Sequence, residues 1–147
     1  SSLASLSLDL YHNNIGATGA EAIADALGKL SSLTSLTLRL ARNDDIGDAG
    51  AQYLANALGG LSSLTSLSLD LGDTAIGAAG AQSLADALGE MSSLTSLSLG
   101  LGNTDIGAAG AQSLATAIGG LNSLTSLHLN LRHNNIGEDG AVDFSSY

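Results

Sequence analysis

The chain has 147 residues, a formal net charge of -10 at pH 7 from 14 Asp and Glu against 4 Lys and Arg, and no cysteine. So few basic side chains cannot neutralise the phosphates of a nucleic acid, and the lack of cysteine excludes disulfides and thiol chemistry. Apolar residues make up 44% of the chain, but Ser, Thr or Gly interrupts every apolar stretch well before the roughly 20 residues that span a bilayer, so we expect no membrane insertion.

One phrase recurs along the whole chain, at intervals of about 30 residues. It begins at five leucines: Leu3, Leu33, Leu64, Leu94 and Leu124. A fixed period of this length predicts that each unit buries its apolar face only against its neighbours. We therefore expect a single domain over residues 1–147, divided into four repeats and a partial fifth: 1–30, 31–61, 62–91, 92–121 and 122–147.

Each unit opens with a strand pattern. In the third unit Leu67, Leu69 and Leu71 alternate with polar residues, which is typical of a strand with one buried face. The pattern predicts one strand per unit.

A turn and a helix follow the strand. Gly77 and Gly80 bracket the predicted helix start, and Gly89 follows the last apolar residue, where a left-handed C-terminal cap is common. The apolar residues between them fall at i, i+3, i+4 and i+7: Ala81, Leu84, Ala85 and Leu88. Because a helix joins each strand to the next, the strands are expected to run parallel and to stack as a solenoid.

These motifs resemble the leucine-rich repeat family, whose L-x-x-L-x-L pattern runs from Leu3 to Leu8 and from Leu33 to Leu38. The closing I-G-x-x-G-A-x-x-L-A-x-A-L segment is similar to the ribonuclease-inhibitor-like subclass. The resemblance covers essentially the whole chain. It implies an α/β leucine-rich repeat right-handed solenoid of about five repeats, with a curved parallel sheet on the concave side and helices on the convex side.

The repeats depart from that family pattern in three ways. An additional leucine, Leu71 in the third repeat, is expected to lengthen each strand. The family's loop asparagine is present as Asn43 in the second repeat but is replaced by Thr74 and Thr104, so we expect fewer hydrogen bonds there. One extra residue in the second repeat is expected to make Asp44 and Asp45 bulge from the rim.

The two ends of the array lack obvious polar caps, which solenoids need over their terminal repeats. Two interpretations stay open. Either Phe144 and Tyr147 form a local aromatic lid, or the chain is part of a longer array or is covered by a partner at its ends.

The sequence offers no convincing catalytic or metal site. His12 and His133 lie four strands apart, about 19 Å in a parallel stack, and so cannot share a metal. Ser98 could neighbour His128, but the nearest strand carboxylate, Asp70, is one strand further away. The acids of the second repeat lack the spacing of a calcium loop: Asp44, Asp45 and Asp48. We therefore expect no enzyme activity, no cofactor and no metal.

Binding is the remaining role, because the family presents ligand-contacting side chains on the concave sheet face. Two columns of that face are uniformly small and mostly hydroxylated, as a solvated strand face would be. The next two columns change at each repeat and contain Tyr and Arg, the usual hot-spot residues. Neutral drift would give the same variation. The candidate protein-binding residues are Asp9, Tyr11, Arg39, Arg42, Asp70, His128 and Arg132.

The leading hypothesis is a non-catalytic protein–protein interaction module that binds a protein partner through the concave sheet surface. The alternative is a structural or accessory subunit, embedded in a larger assembly through uncapped ends and the convex side. Nucleic acid is not an expected partner in either case.

Overall fold

A computed structural model describes residues 2–136, in which five strands alternate with four helices. The elements are β1 Ser5–Asp9, α1 Gly16–Leu27, β2 Ser35–Arg39, α2 Gly47–Gly59, β3 Ser66–Asp70, α3 Ala78–Gly89, β4 Ser96–Gly100, α4 Gly107–Gly119 and β5 Ser126–Asn130. The strands form one parallel sheet in the order β1-β2-β3-β4-β5. This architecture confirms the predicted α/β solenoid. Phe144 and Tyr147, the predicted lid, lie outside the described residues.

The sheet register places identical positions of successive repeats side by side. Leu67 and Leu69 pair with Leu97 and Leu99, and all four are buried in the common core. The polar residues between them lie on the opposite, partly exposed face. The alternation in the sequence therefore predicted the two faces of each strand correctly.

The strands are shorter than expected, since each has five residues and ends immediately before the additional leucine. In the third repeat the backbone N–H of Gly72 donates to the side chain of Asp70 at 3.1 Å instead of to a neighbouring strand. Backbone pairing between the repeats nevertheless continues beyond the end of the strand, from Leu71 N to Gly100 O at 2.7 Å and from Asp73 N to Gly102 O at 2.9 Å. The additional leucine thus extends the hydrogen-bonded stack and the core but not the strand itself.

The helices pack their predicted apolar face against the leucines of the sheet. In α3 this face is buried, with exposures of 4% or less: Ala81, Leu84, Ala85 and Leu88. None of the helices in residues 2–136 combines the length and the apolar character that a membrane span requires.

The predicted left-handed helix C-caps are wrong. Gly89 is the last residue of α3 and is not left-handed, and Glu90 after it has φ of -92°. Gly60 and Gly120, which follow α2 and α4, have φ of -87° and -88°. The left-handed glycines instead lie where helices begin, as at Gly47 with φ of 60°. The chain leaves each helix through a tight right-handed turn, for example from Gly60 N to Ala57 O at 3.2 Å, so no reversal of φ is needed there.

Asn43 forms a polar link between the first two repeats and is fully buried. Its Oδ1 accepts hydrogen bonds from two backbone N–H groups of the first repeat, Asn13 at 2.9 Å and Ile15 at 3.1 Å. Its Nδ2 donates to one carbonyl of the first repeat, Leu10 at 3.0 Å, and to two of the second, Leu40 at 2.9 Å and Ala41 at 3.4 Å. Thr74 is equally buried, but its side chain makes one described hydrogen bond, to Leu71 O at 2.6 Å. The thinner network expected at the threonine is confirmed.

Ala75 occupies a backbone conformation that suits other residues better. Its φ is 60°, and the same loop position in the first and fifth repeats holds Asn14 and Asn135, each with φ of 55°. Asparagine tolerates this left-handed region, whereas the β-carbon of alanine is strained there. We expect Ala75→Asn to raise the free energy of unfolding by about 0.5–1 kcal/mol, as measured by urea denaturation. Ala79→Asn, on the exposed first turn of α3, is the control and should not stabilise. A gain that is equal in both variants would contradict this explanation.

Candidate functional site

Asp9 and Arg39 lie side by side where β1 and β2 end. They are direct partners in the sheet register, and Arg39 Nη1 lies 2.9 Å from Asp9 Oδ2. Both side chains remain about half exposed, at 53% and 52%. An ion pair this exposed contributes about 0–1 kcal/mol, so it orients the arginine more than it stabilises the fold.

Tyr11 and Arg42 continue this cluster one step further along the chain. Arg42 Nη1 donates to Tyr11 Oη at 3.3 Å, and Tyr11 is 44% exposed. The backbone N–H of Tyr11 donates to Asp9 Oδ1 at 3.1 Å, which links the two pairs. The ring of His12 lies edge-on to that of Tyr11, with ring centres 6.1 Å apart. We call Asp9, Tyr11, Arg39 and Arg42 the Tyr–Arg edge.

The surroundings of Arg42 favour the charged form of its guanidinium. Its hydrogen bond to Tyr11 raises the pKa of the guanidinium above its ordinary value, and the nearby Tyr11, Asp73 and Asp44 act in the same direction. Its backbone is fixed as well, because φ is 61° and Arg42 N donates to Gly72 O at 2.9 Å. The cation is therefore presented to solvent from a defined loop position.

Asp70 neighbours the Tyr–Arg edge but is held by its own turn. It lies opposite Arg39 in the register, yet its Oδ1 accepts the backbone N–H of Gly72. A β-carbon at Gly100 would lie 3.0 Å from the same oxygen, so the glycine makes room for this carboxylate. Within residues 2–136 the ion pair of Arg39 is with Asp9.

His128 and Arg132 lie at the opposite end of the sheet. His128 is exposed on β5, in register with Ser98, and Arg132 N donates to Asn130 Oδ1 at 3.1 Å. Four strand spacings separate β5 from β1, which is about 19 Å. The structure thus brings four of the seven predicted residues together, places Asp70 beside them and leaves two apart.

Three acidic residues near the Tyr–Arg edge were not among the predicted binding residues. Asp44 and Asp45 are exposed in a turn closed by Ile46 N to Asn43 O at 3.1 Å, as expected for the extra residue of the second repeat. The charges of Asp44 and Asp73 both raise the pKa of Arg42. The extra residue and the change of Asn to Thr at position 74 were the only sequence signals that this part of the rim differs.

On the helical side, an open groove between α1 and α2 is lined by the exposed Tyr53 together with Lys29, Glu21 and Asp25. A second open groove, of about 560 Å³, runs between α3 and α4 on the same side, lined by small and polar residues such as Gln82, Asp86 and Ser113. Both grooves lie on the other face from the Tyr–Arg edge. No three His, Asp or Glu side chains in the part of the chain that the structure describes are grouped as metal ligands.

Comparison with known proteins gives a consistent fold. The family profile described as "Leucine Rich repeat" matches residues 6–24, 32–55, 61–85 and 121–145. Among solved structures, the fold is similar to that of Leiomodin-1 Actin-Binding Site 2, with 19% identity over 87% of this chain and 70% of that chain and a TM-score of 0.65. An internalin from Listeria monocytogenes matches with 22% identity over 93% of this chain and 44% of that chain, at a TM-score of 0.38. No curated protein sequence matches significantly.

Proposed function

Since the chain belongs to the leucine-rich repeat family, we propose that it is a non-catalytic protein-binding module and that the Tyr–Arg edge is its main contact site. The observation that carries the proposal is the pair formed by Tyr11 and Arg42, an exposed aromatic ring hydrogen-bonded to an exposed guanidinium. Such residues dominate the energetics of protein interfaces.

Tyr11 and Arg42 are much larger than the side chains on the neighbouring sheet face. The two uniform columns of the sheet face begin at Ser5 and Ser7 and carry small side chains, mostly hydroxyls, in register from strand to strand. These side chains offer little apolar area to bury. A partner would therefore gain most by contacting the Tyr–Arg edge.

The contacts within the edge also lower the cost of binding. Asp9 holds Arg39, and Tyr11 holds Arg42, so both arginines are already restrained before a partner arrives. Binding then loses less side-chain entropy than it would with free arginines. The guanidinium groups keep further N–H donors for carboxylate or carbonyl oxygens of the partner.

The charge of the chain bears on how a partner approaches. The net charge is -10. Asp9 pairs with Arg39 and Asp70 lies opposite it in the register, while Asp44 and Asp73 lie near Arg42. A field of this sign speeds encounter with partners that carry basic surfaces. We propose a partner whose surface is basic overall and offers hydrogen-bond acceptors to Arg39 and Arg42.

Affinity measurements with point variants test this site. A partner is first captured on the wild-type chain and identified, and its Kd is then measured for each variant. Tyr11→Ala and Arg42→Ala should each weaken binding about tenfold or more, the typical effect of a hot-spot residue. Ser98→Ala on β4 and Arg132→Ala are matched controls and should leave Kd within about twofold. Unchanged affinity in the first two variants, with unfolding transitions like that of the wild type, would rule out the Tyr–Arg edge.

The structural-subunit hypothesis also has an observation in its favour. The leucines of β1 and β5 are only partly buried, and Leu3 is 42% exposed, whereas Leu67 of the central strand is 2% exposed. Apolar surface of this kind invites contact with another protein. Light scattering on the purified chain separates the two functions, because a stable monomer would argue against an obligate subunit.

We also propose that the chain belongs to the ribonuclease-inhibitor-like subclass of the family. This assignment is supported by the closing motif of the first four repeats and by the α-helix that follows each of the first four strands.

A further inference from the structure

The loop that leads into α3 differs from the corresponding loops of the other repeats. Gly77 has φ of -106°, whereas Gly16, Gly47 and Gly107 have φ of 64°, 60° and 66°. The helices α1, α2 and α4 begin at this glycine, but α3 begins one residue later, at Ala78. The same Ile-Gly-x-x-Gly motif thus adopts two backbone conformations in one molecule.

A side chain from the preceding repeat accompanies the difference. Asp48, in the first turn of α2, accepts hydrogen bonds on Oδ1 from Gly77 N at 2.7 Å and from Gly80 N at 2.9 Å. In α2 the residue equivalent to Gly80 is Gly50, whose N–H donates to the carbonyl of Ile46. The carboxylate of Asp48 therefore replaces a backbone carbonyl and caps the start of a neighbouring helix, in the way that a capping side chain does within one helix.

The two conformations use different hydrogen bonds between repeats. In two of the three left-handed loops the glycine N–H donates forward to the next repeat, from Gly47 to Thr74 O at 2.8 Å and from Gly107 to Asn134 O at 3.0 Å. Gly77 donates backward to Asp48 and instead forms a parallel bridge with Asp105. Both arrangements give the glycine N–H a hydrogen-bond partner, so the Ile-Gly-x-x-Gly motif is compatible with either conformation.

The position of Asp48 carries an acid in the second repeat and in the fifth, where Glu138 lies outside the described residues. The equivalent position in the first, third and fourth repeats is alanine: Ala17, Ala78 and Ala108. Alanine offers no acceptor to the next loop. The only extended glycine among the four described helix entries is therefore the one that has a carboxylate beside it.

We propose that the loop leading into α3 is a two-state element and that Asp48 selects its extended state. The inference does not depend on the proposed partner. A change in the state of this loop would also affect the Tyr–Arg edge. The loop follows Asp73, whose charge raises the pKa of Arg42. Since Asp48 is exposed, a basic group that withdraws its carboxylate would release the loop into the left-handed form.

Glycine-to-alanine substitutions report the state of each loop in solution. At Gly107 a β-carbon would meet no atom within 4 Å, so the cost of Gly107→Ala is the left-handed backbone alone. We expect that variant to lower the folding equilibrium constant about tenfold. At Gly77 the backbone is open to alanine, and the nearest atom to the new β-carbon is a flexible carboxylate oxygen of Asp48 at 3.4 Å. Gly77→Ala should change the constant by less than about threefold.

The selecting role of Asp48 is tested by a double-mutant cycle with Asp48→Ala. Without the carboxylate the loop should become left-handed, so Gly77→Ala should now cost about tenfold in the folding equilibrium constant. Gly107→Ala should cost the same in both backgrounds. Equal effects of Gly77→Ala with and without Asp48 would overturn the proposal. Equal losses for Gly77→Ala and Gly107→Ala in the otherwise native chain would overturn it as well, even if Asp48→Ala failed to fold.

Discussion

Replacing Asn43 with alanine is expected to lower the free energy of unfolding by about 3 kcal/mol, because each buried backbone group left without a partner costs about 1–3 kcal/mol. The side chain is fully buried and bonds to backbone groups of two repeats. The hydrogen bonds to the first repeat are only partly buried, so water can reach some of the freed groups, which limits the loss. Urea denaturation measures the effect.

Thr74→Ala is the matched control for Asn43→Ala. Thr74 lies at the equivalent position of the third repeat and is just as buried, but its hydroxyl makes one described hydrogen bond. We expect a loss of about 1 kcal/mol, the usual net value of one hydrogen bond. If the two variants were destabilised equally, the link through Asn43 would not hold the first two repeats together as argued above.

The second large effect is expected in the leucine core. Leu69 lies in the central strand, is 2% exposed and is flanked in the register by Leu38 and Leu99. Its replacement with alanine leaves a cavity between three strands that cannot easily collapse. We expect Leu69→Ala to cost about 3–4 kcal/mol of unfolding free energy, as measured by urea denaturation.

Leu8→Ala tests the same column at the first strand. Leu8 pairs with Leu38 but is only partly buried, because β1 has a neighbour on one side in the described chain. We expect about half the loss found for Leu69→Ala, since less apolar surface is removed from contact. A loss at Leu8 as large as that at Leu69 would mean that the edge of the sheet is covered in solution.

The periodic part of the fold could be predicted from sequence because it depends on local rules. The alternation around Leu67 and Leu69 reflects the two faces of a strand, and the spacing of Leu84 and Leu88 reflects one face of a helix. The helix caps could not be predicted in this way. Gly89 is the residue type that usually forms a left-handed helix cap. The chain instead leaves α3 through a right-handed turn, so the left-handed conformation that glycine allows is not used there.

The candidate site was predictable only in part. The repeat length sets the register of a parallel stack and so predicts that Asp9 lies beside Arg39. Tyr11 and Arg42 were both candidate residues, but their hydrogen bond does not follow from the register. The cap that Asp48 provides was not predicted, because its hydrogen bonds go to Gly77 and Gly80 of the next repeat. Contacts of this kind depend on the backbone angles of a loop, which the repeat pattern does not specify.

Contacts between helices and between strands join consecutive units only, within the part of the chain that the structure describes. Among the helices and strands of residues 2–136, none contacts both the first unit and the third. If the molecule were stretched from its two ends, for example by an optical trap, the load would pass through each interface in series, and the weakest would yield first. The molecule would then extend in discrete steps, each releasing about thirty residues, so that it would behave as a short chain of mechanical links.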